Sequence, residues 1–129
     1  MASPQMTFNA AGNIASSIAL AAGATSTNYT VDGSADFETQ LQASITAGAA
    51  VAATNGVTVN CYRQLGPSGT PVNDTIASLA FTITPLTASA TSVRTINLDT
   101  GRWVISLTNT DATNGVTFSL TTAAVTGIA

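Results

Sequence analysis

From residue 27 onward, apolar and polar residues alternate with a period of two, which sends successive side chains to opposite faces of an extended strand. In "DFETQLQASI" (36–45), Phe37, Thr39, Leu41, Ala43 and Ile45 share one face, and Glu38, Gln40, Gln42 and Ser44 share the other. "GVTVNCYRQL" (56–65) groups Val57, Val59, Cys61 and Leu65, and "TIASLAFTIT" (75–84) groups Ala77, Leu79, Phe81 and Ile83. Val93 to Leu98, then Trp103, Ile105 and Leu107, then Val116, Phe118 and Leu120 continue the series. Each run has one apolar face and one face of Thr, Ser and Asn, the pattern of antiparallel sheets wetted on one side. Turn residues separate the runs: Gly-Pro-Ser-Gly-Thr-Pro at 66–71, Pro85, and the pairs Asn55-Gly56 and Asn114-Gly115 just before strands. Asn-Gly suits the positive φ angles of a tight turn. The whole predicts an all-β fold, an antiparallel β-sandwich or jelly-roll-like single domain over residues 27–129.

Residues 1–26, "MASPQMTFNAAGNIASSIALAAGATS", carry no charged side chain and alternate only weakly. They predict an N-terminal arm or a first edge strand. Phe8, Ile14, Ile18 and Leu20 are its candidate anchors and candidate partner contacts, since an extended segment can add a strand to another sheet. "IASSIALAAGA" (14–24) has the length of a signal h-region, but no Lys or Arg precedes it, so a cleaved leader is not expected. No run reaches the roughly 18 apolar residues of a membrane-spanning helix, and no membrane partner is expected.

Composition narrows the chemistry. Only 7% of the 129 residues are charged, while 45% are hydrophobic, so the chain has the apolar content to build a core. Ala and Thr occur 23 times each, and polarity is carried by hydroxyls and amides. The cations are Arg63, Arg94 and Arg102, without Lys or His; the acids are Asp32, Asp36, Glu38, Asp74, Asp99 and Asp111, for a net charge of −3. Three scattered arginines cannot neutralise a phosphate backbone, so nucleic acid is not an expected partner. Triads with an imidazole base are excluded without His, and one Cys without His cannot supply the usual zinc ligands. Cys61, alone and in an apolar run, reads as a small core residue.

Asp99-Thr100-Gly101 is the tripeptide of aspartic proteases, which need two such aspartates sharing a proton. Only one copy is present, followed by the bulky Arg102 and Trp103. "VRTINL" and "RWVISL" flank it with matched alternation, so it reads as a hairpin loop with glycine in the left-handed conformation. Asp32, Asp36 and Glu38 crowd seven residues but lack calcium-loop spacing, and read as a solvated acidic edge. Catalytic, metal and cofactor sites are therefore not expected, and the chain reads as no enzyme. "ATNGVTV" (53–59) is echoed by "ATNGVTF" (112–118), two loop-to-strand junctions with the same backbone requirement.

The segments "ADFETQLQ" (35–42), "VTVNCYR" (57–63) and "FTITPLTASATSVRTINLDTGRWVISLTNTDATNGVTFSL" (81–120), with their Leu-x-x-Gly-x-Trp run, resemble small β-sandwich proteins encoded among the structural genes of tailed bacteriophages. The resemblance spans about residues 27–122 and leaves the N-terminal segment unmatched. It implies a capsid decoration (cement) protein on the outer capsid surface of the virion. Such a protein binds the major capsid protein, bridges neighbouring subunits and forms a homo-oligomer, with a trimer favoured. The alternatives are a glycan-binding or fibre-adhesin module, which an exposed Trp103 or Tyr62 would favour, and another tail or neck subunit of the virion.

Overall fold

The computed structural model describes residues 6–8, 12–48, 55–65, 72–84 and 87–128, with residues 6–8, 37, 72 and 126–128 described by backbone alone. Among these residues the chain forms strands and no helix: β1 (Met6–Phe8), β2 (Gly12–Leu20), β3 (Tyr29–Ala47), β4 (Val57–Leu65), β5 (Val72–Asn73), β6 (Leu79–Ile83), β7 (Thr91–Asn109) and β8 (Val116–Ile128). All pairings are antiparallel, and they form one continuous ladder that folds over into two layers. The first layer runs β2–β8–β3–β7 and uses residues 38–47 of β3 and 91–99 of β7. The second runs β3–β7–β4–β6 and uses residues 29–33 of β3 and 101–109 of β7, with β5 on the far end of β4.

The two 19-residue strands β3 and β7 therefore belong to both layers. They cross together at a corner where Gly33 pairs with Gly101 and the register slips before Glu38. Gly101 has φ +134°, and a Cβ on Gly33 would stand 2.8 Å from Thr39 Oγ1 and 3.1 Å from the Gly101 carbonyl. Both positions thus require glycine, one for its backbone angle and one for close approach. This overturns the hairpin expected at Asp99-Thr100-Gly101. Its flanks do not pair with each other; the tripeptide is the bend of one uninterrupted strand, and the left-handed glycine serves a corner instead of a turn.

Between the layers lies a single core that includes Leu41, Ala43 and Ile45 of β3, Val57, Val59 and Cys61 of β4, Trp103, Ile105 and Leu107 of β7, and Phe118 and Leu120 of β8. Tyr29 meets Phe118 across the layers edge to face, with ring centroids 5.9 Å apart. The period-two reading holds where strands are central, and Thr39 is buried with its neighbours. The Phe37 side chain lies outside the described residues. Alternation misleads at the margins: Leu65 is 74% exposed and Val93 55% exposed, because one ends β4 beyond the core and the other pairs with Ser44 on the outward phase of its layer. Arg94 places its guanidinium 4.9 Å over the Phe81 ring and covers the open side between β6 and β7.

The Asn-Gly pairs are not the tight turns expected from their sequence, since neither Gly56 nor Gly115 has positive φ. Gly56 is needed for space: a Cβ there would meet the Ile83 carbonyl at 2.7 Å. In the N-terminal segment, β1 and β2 are edge strands, and residues 24–26 pass to β7, where Thr25 bridges Thr108. β1 and β2 lie end to end along β8, with breaks in register at Thr7/Phe8, Asn13/Ala15 and Ala15/Ile18. Ser17, at φ +50°, marks the last break, and its N–H donates to Ser119 Oγ.

Candidate functional site

The expected anchors of the first 26 residues separate in the structure. Leu20 is a core residue, Ile14 packs half-buried against the core, Ile18 is 37% exposed, and Phe8 pairs with Val125 through its backbone; Ala15, not among the expected anchors, is also buried in the core. The Phe8 side chain lies outside the described residues.

The acids also separate. Asp32, Asp36, Glu38 and Asp99 gather at the corner. Asp32 accepts from Ser34 Oγ and Ser34 N–H and stands 3.3 Å from Arg102. Those bonds, led by the Ser34 hydroxyl, hold its carboxyl below the usual aspartate range. Asp99 pairs with Arg63 at 3.2 Å, and that guanidinium in turn lies 4.5 Å over the Trp103 ring. Among the described residues no group of three or more Cys, Asp or Glu side chains is placed to hold a metal ion.

Asp111, by contrast, is 1% exposed. One carboxylate oxygen accepts from the N–H groups of Thr113 and Asn114 and the Thr113 hydroxyl; the other accepts from Asn55 N–H. The two echoed Asn-Gly junctions therefore converge on one buried carboxylate, which ties the start of β4 in one layer to the start of β8 in the other. Beside it, the fully buried Asn109 donates to the carbonyls of Leu20, Ala21 and Asn114. The echo was the sequence signal for this cluster, although nothing local marked Asp111 as its centre. The role is structural.

Two outer faces remain. The face of the β2–β8–β3–β7 layer presents cross-strand rows Thr91–Thr46–Thr117, Val93–Ser44–Ser119, Thr95–Gln42–Thr121 and Asn97–Gln40–Ala123. Gln42 donates to Thr95 Oγ1, Thr121 donates to Asn13, and a shallow hollow opens among Gln40, Gln42, Thr95 and Thr121. These rows contain no charged side chain; the charges begin one row further on, at Glu38 and Asp99.

The face of the other layer carries an open depression of about 310 Å³ lined by Asn28, Tyr62, Asn73, Asp74, Thr75, Val104 and Ser106. Its floor is formed by Val104 (3% exposed) and Ser106 (5%). Both alternate with the inward Trp103, Ile105 and Leu107, so they lie on the outer face and are walled in by their neighbours. Tyr62 pairs directly with Val104 across β4 and β7. Segment 73–78 is held alongside β4 by Asp74 N–H to Arg63 O and Ser78 N–H to Cys61 O. Trp103 is 2% exposed, and its indole N–H donates to the Asp99 carbonyl; it is therefore a core residue, as its phase predicted, and offers no surface platform. Tyr62 is half-buried at the depression. Cys61 is fully buried, and burial pushes its thiol up to about 12.

No known family model matches the sequence, and no curated protein matches it. Among solved structures, the chain is similar to a protein of Bacillus endospore appendages, described as disulfide-linked pili. The identity is 16% and the TM-score 0.50, over 95% of this chain and 92% of that one. It is equally similar in fold to a protein of infectious bursal disease virus strain Gx, at 12% identity and TM-score 0.50, over 95% of this chain but only 32% of the viral one. A family 16 carbohydrate-binding module superposes at TM-score 0.46 with 15% identity, over 86% of this chain and 72% of that one. At these identities the likeness is one of architecture: the chain is an all-β, antiparallel, jelly-roll-like β-sandwich.

Proposed function

We propose that the chain is a non-enzymatic structural subunit of a virion, a head decoration protein that binds the outer surface of the major capsid protein and bridges neighbouring capsid subunits. The observation that carries this reading is the outer face of the β2–β8–β3–β7 layer, four strands wide and without a charge between the Thr46 and Gln40 rows. Hydroxyls and amides can exchange water for partner groups without the penalty of stripping water from ions. Such a contact is modest for each copy. Repeated on a symmetric shell, and multiplied by a homo-oligomer such as a trimer on a symmetry axis, it accumulates as avidity. A sandwich whose layers share two backbones suits the rigidity that bridging needs. The fold shared with a viral protein and a pilus protein is compatible with an assembled role. Cys61 has no exposed surface from which to form an intermolecular disulfide, which argues against disulfide-linked assembly through it.

The test is mass spectrometry and imaging of purified particles carrying the wild-type chain or a Gln42→Glu/Thr121→Glu variant. The two new charges are expected to weaken attachment by ~100-fold or more, with thermal unfolding unchanged. Absence of the chain from particles, or undiminished attachment of the folded variant, would overturn the reading.

A further inference from the structure

We propose that the depression on the outer face of the β3–β7–β4–β6 layer is a binding site for a neutral saccharide. The first ground is its composition. Tyr62 supplies an aromatic ring with a polar tip, Val104 an apolar floor, and Asn28, Asn73, Thr75 and Ser106 supply amides and hydroxyls. An amide presents both a donor and an acceptor, and a hydroxyl can be either. That duality matches the hydroxyls of a sugar ring, each of which both gives and takes a hydrogen bond.

The second ground is independent. Ser106 is 5% exposed, yet its hydroxyl makes no hydrogen bond to any described residue. Among the described residues the buried side-chain atom without a partner is Arg102 Nε, so the Ser106 hydroxyl is open to the depression and not sealed off. From the floor it offers a ligand hydroxyl an uncommitted partner. Tyr62, Thr75 and Asn28 likewise make no side-chain hydrogen bond within the described structure, so the walls are not committed to one another. Asn73 is the exception, its Oδ1 accepting from Gln64 Nε2 at 2.7 Å, which fixes the orientation of its amide.

Position and charge narrow the ligand class. The site lies on the face of a sheet, where a peptide backbone could not join the hydrogen-bond ladder as it would at an edge. Asp74 is the one ionisable acid or base lining it besides the Tyr62 phenol, and the molecule carries −3 overall. Uronic, sialic and phosphorylated sugars are thereby disfavoured, and uncharged hexose or N-acetylhexosamine units fit. The size is at the lower end of small-ligand pockets, enough for a short stretch of chain. The site faces away from the surface assigned to shell attachment, so both contacts can be made at once, and it stands whether or not the chain decorates a shell.

The test is titration of isotope-labelled protein with neutral oligosaccharides of glucose, mannose, galactose and N-acetylglucosamine, with sialylated and uronic oligosaccharides alongside, followed by amide NMR. The expected result is saturable shifts for at least one neutral series, confined to residues 28–30, 60–64, 73–75 and 102–106. Ser106→Ala should weaken binding about five-fold and Tyr62→Ala by ~10-fold or more, while Thr95→Ala on the opposite face leaves it unchanged. The shift map needs no variant, so poor folding of Tyr62→Ala leaves the test intact. No shifts with any neutral series, shifts on another face, binding of anionic sugars alone, or full affinity in Ser106→Ala would each overturn the proposal.

Discussion

Asp111 shows how much a single side chain can carry when its charge is buried and saturated with donors. It accepts the N–H groups of Asn55, Thr113 and Asn114, so truncation leaves several partly buried donors without a partner. Asp111→Ala is expected to destabilise the fold by about 3 kcal/mol in urea unfolding, whereas Asp99→Ala, which breaks a pair with an 84% exposed carboxylate, should stay within about 0.5 kcal/mol. Asp32 offers a second test at this scale. Its carboxyl is held below the ordinary value of 3.8 chiefly by the Ser34 hydroxyl. A depressed carboxylate contributes stability above its unfolded pKa and loses it as pH falls through the folded one. Ser34→Ala should therefore raise the Asp32 midpoint toward 3.8 in a carboxyl NMR titration. The stability gap between the two proteins should be present at neutral pH and should close in acid. At this scale the sequence was partly legible. The phase of Trp103 and the apolar surroundings of Cys61 placed both in the core, but Asp111 and Asp99 look alike until their distant donors are known.

At the scale of elements, period two exposed the central strands because their inward residues alternate without interruption, as in Leu41, Ala43 and Ile45. The N-terminal strand stayed obscure because its register slips at each side of Ala15, and every slip resets the alternation. The corner was misread for a different reason. A hairpin and a strand changing layers both ask for glycine at positive φ, and only pairing with a third strand separates them. Gly101→Ala should cost about 1–3 kcal/mol by forcing a side chain into that region. Gly12→Ala, with open space around it, should be neutral or slightly stabilising by thermal unfolding. Equal effects would show that the corner stores no such requirement. The Tyr62 depression was half legible. Alternation put residues 104 and 106 on the outer face, but the wall formed by segment 73–78 is a long-range contact that no local pattern records.

Across the whole molecule, the charges and the faces divide the labour. Most ions collect at the corner end, one broad face is neutral, and the opposite face holds the depression. The two layers are not independent bodies, since residues 29–33 and 38–47 are one strand and residues 91–99 and 101–109 are another. Trp103 fluorescence reports the second layer, and amide exchange at Leu41 and Leu120 reports the first. Their denaturant midpoints should coincide as one transition; separate midpoints would mean that the layers melt apart. Two polypeptide spans passing from layer to layer also have a mechanical meaning. Pulling on one face transmits tension to the other along covalent bonds, so separating the faces requires unzipping strands, and sliding side chains past each other is not enough.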